Sequence, residues 1–526
     1  MPIYDYIVVG GGISGLYMTY KLSQTGKSIL LVESTNRLGG RILTTKEKNL
    51  QFELGAARIS SKHTKMMSLI NELDLKDDLI KLPDKVTYKI KGPKVNFHNL
   101  VKEVQEKSKL YTRKYLENVS LHQLCIDILG EEMTEYFKDS LGYDSEFTNF
   151  QAYMALKIFK KDLFSKCDYY VLKNGLSSVT DTIATLLEDN EDVTIKLECS
   201  VTDLGKNFIQ IDKKKIYGQR IICALPYQAV IKLPKLKDLE CIQGVQPVPL
   251  IRIYAQYPKD KNGKVWFHGL HRTITDNYIR HIIPIDYETG LIMISYTDGE
   301  LANMWSQLDK LGKKTLVERL HKQVKKVLNK DPPDPIMIST RYWSGGVHMW
   351  KPGYNVKETY ETLLKPFPKE NIYMINESFS KHQSWVEGCL DMAYDVIELL
   401  DEKFSRGKRR GGAKKRKKGD KKKNKRVSNV FTIEQVLKKR NWIVLDIKKQ
   451  LRIYDVSKWM NDHPGGADNL RKGIKANKHY VDSDKYPDSP IKLFKQIGAH
   501  SSSRVIQKML LKAHDKIKYI GIMKKV

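Results

Sequence analysis

The sequence predicts an α/β nucleotide-binding fold with its ligand-binding turn at the amino end. Three observations predict it. An apolar β-type run, Ile7-Val8-Val9, leads into Gly10-x-Gly12-x-x-Gly15; a helical pattern follows through Leu16, Tyr20 and Leu22; and a second apolar run, 28–32, ends at Glu33. Strand, glycine turn, helix, strand and acid in that order are what a Rossmann-like dinucleotide site requires. Gly10 permits the tight turn, Gly12 lets the backbone approach a pyrophosphate, and Gly15 allows close helix–strand packing. The pyrophosphate then rests on free N–H groups at the helix N-terminus, and Glu33 accepts the ribose hydroxyls.

Shortly after that acid comes Gly39-Gly40-Arg41, followed by a strand edge turning into a loop at 52–56. Far downstream stand Asn376-Glu377 and Trp385-Val386-Glu387-Gly388, the latter opening an amphipathic helix (392–400). Between them lie LKNGLSSVT (172–180) and IICALP (221–226). In this combination the chain, over about 4–402, resembles the flavin-containing amine oxidase family, the monoamine oxidases and L-amino acid oxidases included. The resemblance implies FAD, with Gly39, Gly40 and Arg41 against its pyrophosphate and ring. Glu377, Trp385 and Val386 would then lie near the flavin. A guanidinium fork beside bare backbone suits phosphate oxygens, and a helix N-terminus suits the negative charge that develops on flavin reduction. The implied architecture is an α/β FAD-binding domain interleaved with an α+β substrate domain within 1–404. FAD segments fall at about 1–85, 168–245 and 343–404, and substrate or helical segments at 86–167 and 246–342.

At the substrate site the family's strand lysine, which holds a water at flavin N5, is matched by Arg252 in PLIRIYA (249–255). Either Arg252 sits near N5, or it is an outward strand residue with the register off by one. Arginine does not release its proton as lysine does. Val347, in the loop 344–348, stands where monoamine oxidases carry a tethering cysteine, so the FAD is expected to be non-covalent. His348 and Trp385 replace the usual tyrosine pair of the amine cage. Glu53-Leu54-Gly55-Ala56-Ala57-Arg58 is closer to the L-amino acid oxidases, whose arginine anchors the substrate carboxylate. Carried to Arg58, this implies an amino-acid-like substrate held by a bidentate ion pair, with a surface salt bridge as the alternative; the activity the family resemblance implies is oxidation of an amine or amino acid by hydride transfer to flavin. The family's partner tyrosine has no clear counterpart near 280–284.

A second redox centre is expected at the carboxyl end. NWIVLDI (441–447), YDVSKWMNDHPGG (454–466) and GAHSSSRVIQKML (498–510) together resemble cytochrome b5. The resemblance implies haem b in a small α+β domain over 428–526, its iron clamped by His463 and His500. The separation of the two is longer than that family's norm, with the extra length in 479–490. With both axial positions filled, electron transfer rather than oxygenation follows. Reduced FAD would pass its electrons to O2 or to this haem.

The chain has 526 residues and a formal net charge of +30. Residues 406–426 carry fourteen Lys/Arg and one acid, and 428–526 carry twenty-one bases against nine acids. The flavin part is therefore near neutral. The basic run, within a linker at 405–427, reads as a solvated tether, a nuclear-import signal or a salt-sensitive, sequence-blind polyanion site for nucleic acid. No aromatic interleaves it, so base stacking is not indicated. Six scattered cysteines suggest neither a metal site nor a disulfide framework. The first strand begins at the amino end with no apolar leader, and no apolar run reaches membrane-spanning length. An intracellular location is the expectation: cytoplasm, nucleus or a virion. Two other readings are a desaturase or isomerase acting on a non-amine substrate, and a polyanion-binding structural protein that keeps the flavin fold without its chemistry.

Overall fold

The computed structural model describes residues 3–93, 95–162 and 167–410, together with four strands further on: Asn429–Phe431, Trp442–Ile447, Gln450–Asp455 and Lys518–Met523. The chain divides into two compact units, Met1–Gly412 and Ala413–Val526.

The first unit is built on two large sheets. In the seven-stranded one, Tyr4–Val9 lies between Ile29–Val32 and Lys214–Cys223, parallel to both, with Val9 opposite Val32 and Cys223. Ile7, Val8, Leu30 and Leu31 are wholly buried. A parallel strand covered on both faces reads as such a continuous apolar run. Helices Ile13–Ser23, Ser177–Glu188 and Val386–Arg410 pack together beside this sheet. All the ligand-binding turns expected from the sequence therefore collect at the carboxyl ends of its strands, where open α/β sheets bind ligands.

The six-stranded sheet runs in the order Met337–Trp350, Val245–Gln256, Leu291–Asp298, His281–Asp286, Arg272–Thr275 and Val86–Lys89. Helices Gly299–Lys310 and Lys313–Leu328 and the sheet enclose an apolar core around Trp305, Ile253 and Ile294. Six helices fill Phe97–Asp162.

Two boundaries differ from the sequence reading. Segment 343–350 was expected in the nucleotide part, with 344–348 as a loop; it instead completes the long strand Met337–Trp350 of the second sheet. The register jumps between Val248, opposite Val347, and Leu250, opposite Trp343. Ser344-Gly345-Gly346 is thus the unpaired bulge of a strand, and bulges of this kind re-aim the side chains that follow. The last helix continues to Arg410, beyond the expected end of the domain at 404, and so takes in the first residues of the basic run, 406–410.

In the second unit the four strands form one sheet, ordered Asn429–Phe431, Lys518–Met523, Gln450–Asp455, Trp442–Ile447. The strand expected in NWIVLDI is there. His463, His500 and the rest of the basic run, 411–426, lie outside the described residues. Among the described residues no helix is long and apolar enough to cross a membrane, and no His/Cys/Asp/Glu group could hold a metal ion. Cys125, Cys199, Cys223, Cys241 and Cys389 are free thiols.

Candidate active site

The glycine turn has the shape expected of it. Gly10 takes φ +107°, and a Cβ on Gly15 would lie 1.9 Å from the Gly10 carbonyl oxygen, so no side chain fits there. Gly12 differs: a Cβ there would meet nothing nearer than Gly40 Cα at 3.9 Å. The helix starting at Ile13 has no side-chain cap and no acid in its first turn. Its N–H groups are left for an external acceptor, and an anion is the acceptor the helix dipole favours. These residues fit a dinucleotide pyrophosphate. Glu33 Oε2 accepts from Gly11 N at 2.7 Å and Oε1 from Thr35 N at 2.9 Å, fixing the carboxylate beside the turn.

The Gly39-Gly40 pair lies against this turn, with Gly39 N donating to Gly11 O at 2.8 Å. Arg37, which the sequence reading did not single out, organises it by donating to the carbonyls of Leu38, Ile42 and Gly40. Arg41 is held by protein partners: its guanidinium donates to Glu377 Oε2 at 2.6 Å, Gly346 O at 2.9 Å and Asn376 Oδ1 at 3.2 Å.

Glu377 is the hub of this network. It is almost fully buried and also accepts from His348 and from Ser384 N at 2.7 Å. Burial alone would raise its pKa, but Arg41, His348 and the Ser384 amide outweigh it and hold the carboxyl down at about 2. Asn376, a departure from the family's Gly or Thr, accepts from both Arg41 and Ser378. His348, expected with Trp385 in place of the tyrosine pair, lies in this same network. It is completely buried, with Nδ1 at 3.0 Å from Glu377 and Nε2 at 3.3 Å from Gln228 Oε1. It makes no ring contact with Trp385. Burial lowers its pKa, against the pull of Glu377, and the imidazole is neutral at neutral pH.

Trp385 stacks on Tyr169, centroids 6.1 Å apart and planes at 16°, and packs edge-on against His63. It precedes Val386, the first residue of the last helix. Glu387 turns the other way and accepts from Met66 N and Lys65 N, capping the helix Thr64–Glu72.

Arg58 reaches the same region. Its Nη2 donates to Tyr143 Oη at 3.1 Å, and its guanidinium lies over the Tyr169 ring at 5.7 Å. It makes no ion pair among the described residues, so the surface salt bridge is not what is seen. Tyr143 raises its pKa, against the effect of burial, and it stays charged. Tyr143, which the sequence reading did not single out, precedes the short helix Asp144–Thr148 and is remote from Arg58 in sequence. Arg280 is structural, paired to Asp139 and Asp144 at 2.9 Å each.

Arg252 is inward. It is 8% exposed, its Nη1 donates to Glu53 O at 2.9 Å, and its guanidinium lies 4.8 Å from the Tyr296 ring centroid. The strand register is therefore the one that places it inside.

A family model described as flavin containing amine oxidoreductase matches residues 13–396. The chain belongs to this family. Over 191 residues it is 27% identical to an L-amino-acid oxidase of Crotalus adamanteus, covering 35% of this chain and 33% of that protein. Over 502 residues it is 20% identical to achacin of Lissachatina fulica, covering 76% and 93%. The chain thus spans about a third of the length of the first of these relatives. A solved triple mutant of putrescine oxidase, redesigned in its cofactor binding, shares the fold with a TM-score of 0.61 at 16% identity, over 76% of this chain and 99% of that one. FAD is the cofactor of the amine oxidase-like oxidoreductase fold that Met1–Gly412 adopts. The family match stops at 396, before the second unit, so haem has no support from it.

Proposed function

We propose that this member of the family oxidises an amino acid, using FAD held without a covalent tether. The observation that carries the proposal is Arg58: a charged guanidinium beside Tyr143 and the Tyr169–Trp385 stack, with no carboxylate partner among the described residues. A substrate carboxylate supplies that partner, in the two-point geometry that fixes orientation as well as charge. The stacked rings form a flat wall for the rest of the substrate. FAD, held there, would supply the hydride acceptor for the carbon that bears the amine. The chain's own residues hold the site around that event. Arg252, fixed by Glu53 O, contributes a permanent positive charge, and neutral His348 with Glu377 and Arg41 braces the strand bulge at 344–346. Val347 offers no nucleophile for a covalent link to the cofactor. The imine released from the amine hydrolyses in water to a keto acid and ammonia, and O2 is the terminal oxidant, yielding H2O2.

The test is anaerobic addition of a panel of L-amino acids and of amines lacking a carboxylate, followed by admission of air. Bleaching of the flavin spectrum by amino acids, and peroxide on reoxidation, are expected. Bleaching by carboxylate-free amines alone overturns the amino-acid reading, and a silent spectrum throughout overturns oxidation of either class.

For the second unit, the motif around His463 and its partner His500 supports a haem-binding reading. The full purified chain is then expected to show a sharp haem band that disappears in His463→Ala and in His500→Ala. A chain that takes up no haem when it is supplied rules this out.

A further inference from the structure

The fold treats its arginines around Tyr143 unequally. Arg280 is given two carboxylates, Asp139 and Asp144. Arg58 and Arg272, both partly buried, are given none among the described residues, although taking an unpaired charge out of water is costly. Arg272 opens the strand Arg272–Thr275, and its Nε is buried without a hydrogen-bond partner among the described residues.

The sheet register shows which way Arg272 points. Ile274 pairs with His281 and with Tyr88 on the neighbouring strands. Side chains alternate along a strand, and directly paired residues share a face. Arg272, Ile274, His281 and Tyr88 are therefore on one face. The His281 ring packs on Tyr143 at 4.8 Å, and Tyr143 is the residue whose hydroxyl meets Arg58. Arg272 and Arg58 thus approach the same tyrosine from two sides. Burial and then the positive charge of Arg58 lower the Arg272 pKa, while Tyr143, Tyr88 and Tyr169 work against them. The two guanidinium groups repel each other, and the three side chains that oppose this at Arg272 are phenols, not carboxylates. His281 cannot relieve this as an anion would: burial and then Arg272 lower its pKa well below the ordinary value, and it is neutral. The Glu53 carboxylate is committed elsewhere, to Thr44 and Leu176 N.

We infer that Arg272 is the receptor for a second anionic group, and that the pocket selects amino acids with an acidic side chain. This rests on the reading in which Arg58 holds the substrate's α-carboxylate. One carboxylate on Arg58 leaves Arg272 with its charge and its buried donor unanswered. A dicarboxylic amino acid answers both, and its uncharged analogue, with an amide in place of the second carboxylate, leaves a desolvated guanidinium unpaired.

Two measurements on the FAD-loaded full chain separate this inference from the reading beneath it. The first is kcat/KM for L-glutamate and L-aspartate relative to L-glutamine and L-leucine, in the natural sequence and in Arg272→Met. The acid-to-neutral ratio is expected to exceed one by about 100-fold and to collapse by a similar factor in the variant, the scale on which truncating a buried charge partner acts. The second uses no oxidation: titration of glutarate and of butyrate, followed by perturbation of the flavin spectrum. Glutarate is expected to bind about 100-fold more tightly, and Arg272→Met is expected to abolish that preference. Equal affinity for the two anions, or an equal loss for acidic and neutral substrates in the variant, overturns the inference. Tight glutarate binding that depends on Arg272, without turnover of any amino acid, upholds the anion pocket and overturns the amino-acid oxidation reading instead.

Discussion

Replacing Glu377 by Gln is expected to destabilise the flavin unit by roughly 3–5 kcal/mol, the cost of removing one partner from a buried, hydrogen-bonded ion pair. Glu377 accepts from Arg41, His348 and the Ser384 amide at once, from almost complete burial. A glutamine there keeps the shape but removes the charge that balances Arg41, and its amide nitrogen turns a donor toward groups that themselves donate. Because Arg41 also holds Gly346 O and Asn376 Oδ1, loosening it releases the strand bulge and the Asn376 turn together. FAD retention on purification is expected to fall with stability. The pH dependence gives an independent signature. The folded carboxyl titrates near 2, below its ordinary value of 4.5. The stability it contributes is therefore present in full above pH 4.5 and is lost as pH falls toward 2. Urea unfolding of both proteins should show a gap at pH 7 that narrows as the medium is acidified below 4.5. Identical midpoints at pH 7 would show that the network contributes nothing to stability.

The nucleotide turn was legible in the sequence because local sterics dictate it. A residue other than glycine at position 15 collides with the Gly10 carbonyl, and that constraint is written in adjacent residues. The same holds for the buried parallel strands, whose apolar runs are continuous. The charge network was legible only in its members. Arg41, His348 and Glu377 were all marked, but which of them face the ligand and which face one another depends on a bulge at 344–346. That bulge is defined by pairing with Val245–Gln256, about a hundred residues away in the chain. Tyr143, Tyr169 and Arg272 carry no local signal at all. A tyrosine ahead of a short helix, another at the start of a strand and an arginine at the start of a third segment are ordinary residues until the fold brings Arg58 to them. Arg37 could have been found: it lies between the ribose-binding acid and the glycine pair, where an arginine has carbonyls within reach whatever the remote fold does.

Replacing Arg58 by Met is expected to lower kcat/KM for amino acids by about three orders of magnitude. Each charge-assisted hydrogen bond to a carboxylate contributes about 1.5–3 kcal/mol, and a planar guanidinium makes two of them. Without it, a carboxylate entering this region also loses its hydration without the guanidinium that Tyr143 holds in place. The rate for an amine lacking a carboxylate has no such debt, so the amino-acid-to-amine ratio is the informative quantity. Arg58→Lys restores the charge but not the fork, and should recover only part of the loss. Tyr143→Phe removes the hydroxyl at 3.1 Å from Nη2 and leaves the ring that packs on His281 and Tyr296. It should therefore cost less, on the order of tenfold, the low end of what one hydrogen bond to a charged group contributes. Steady-state kinetics of the three variants on one amino acid and its decarboxylated analogue ranks these effects. A fall of less than tenfold in Arg58→Met, or an equal fall on both substrates, assigns the carboxylate to some other cation.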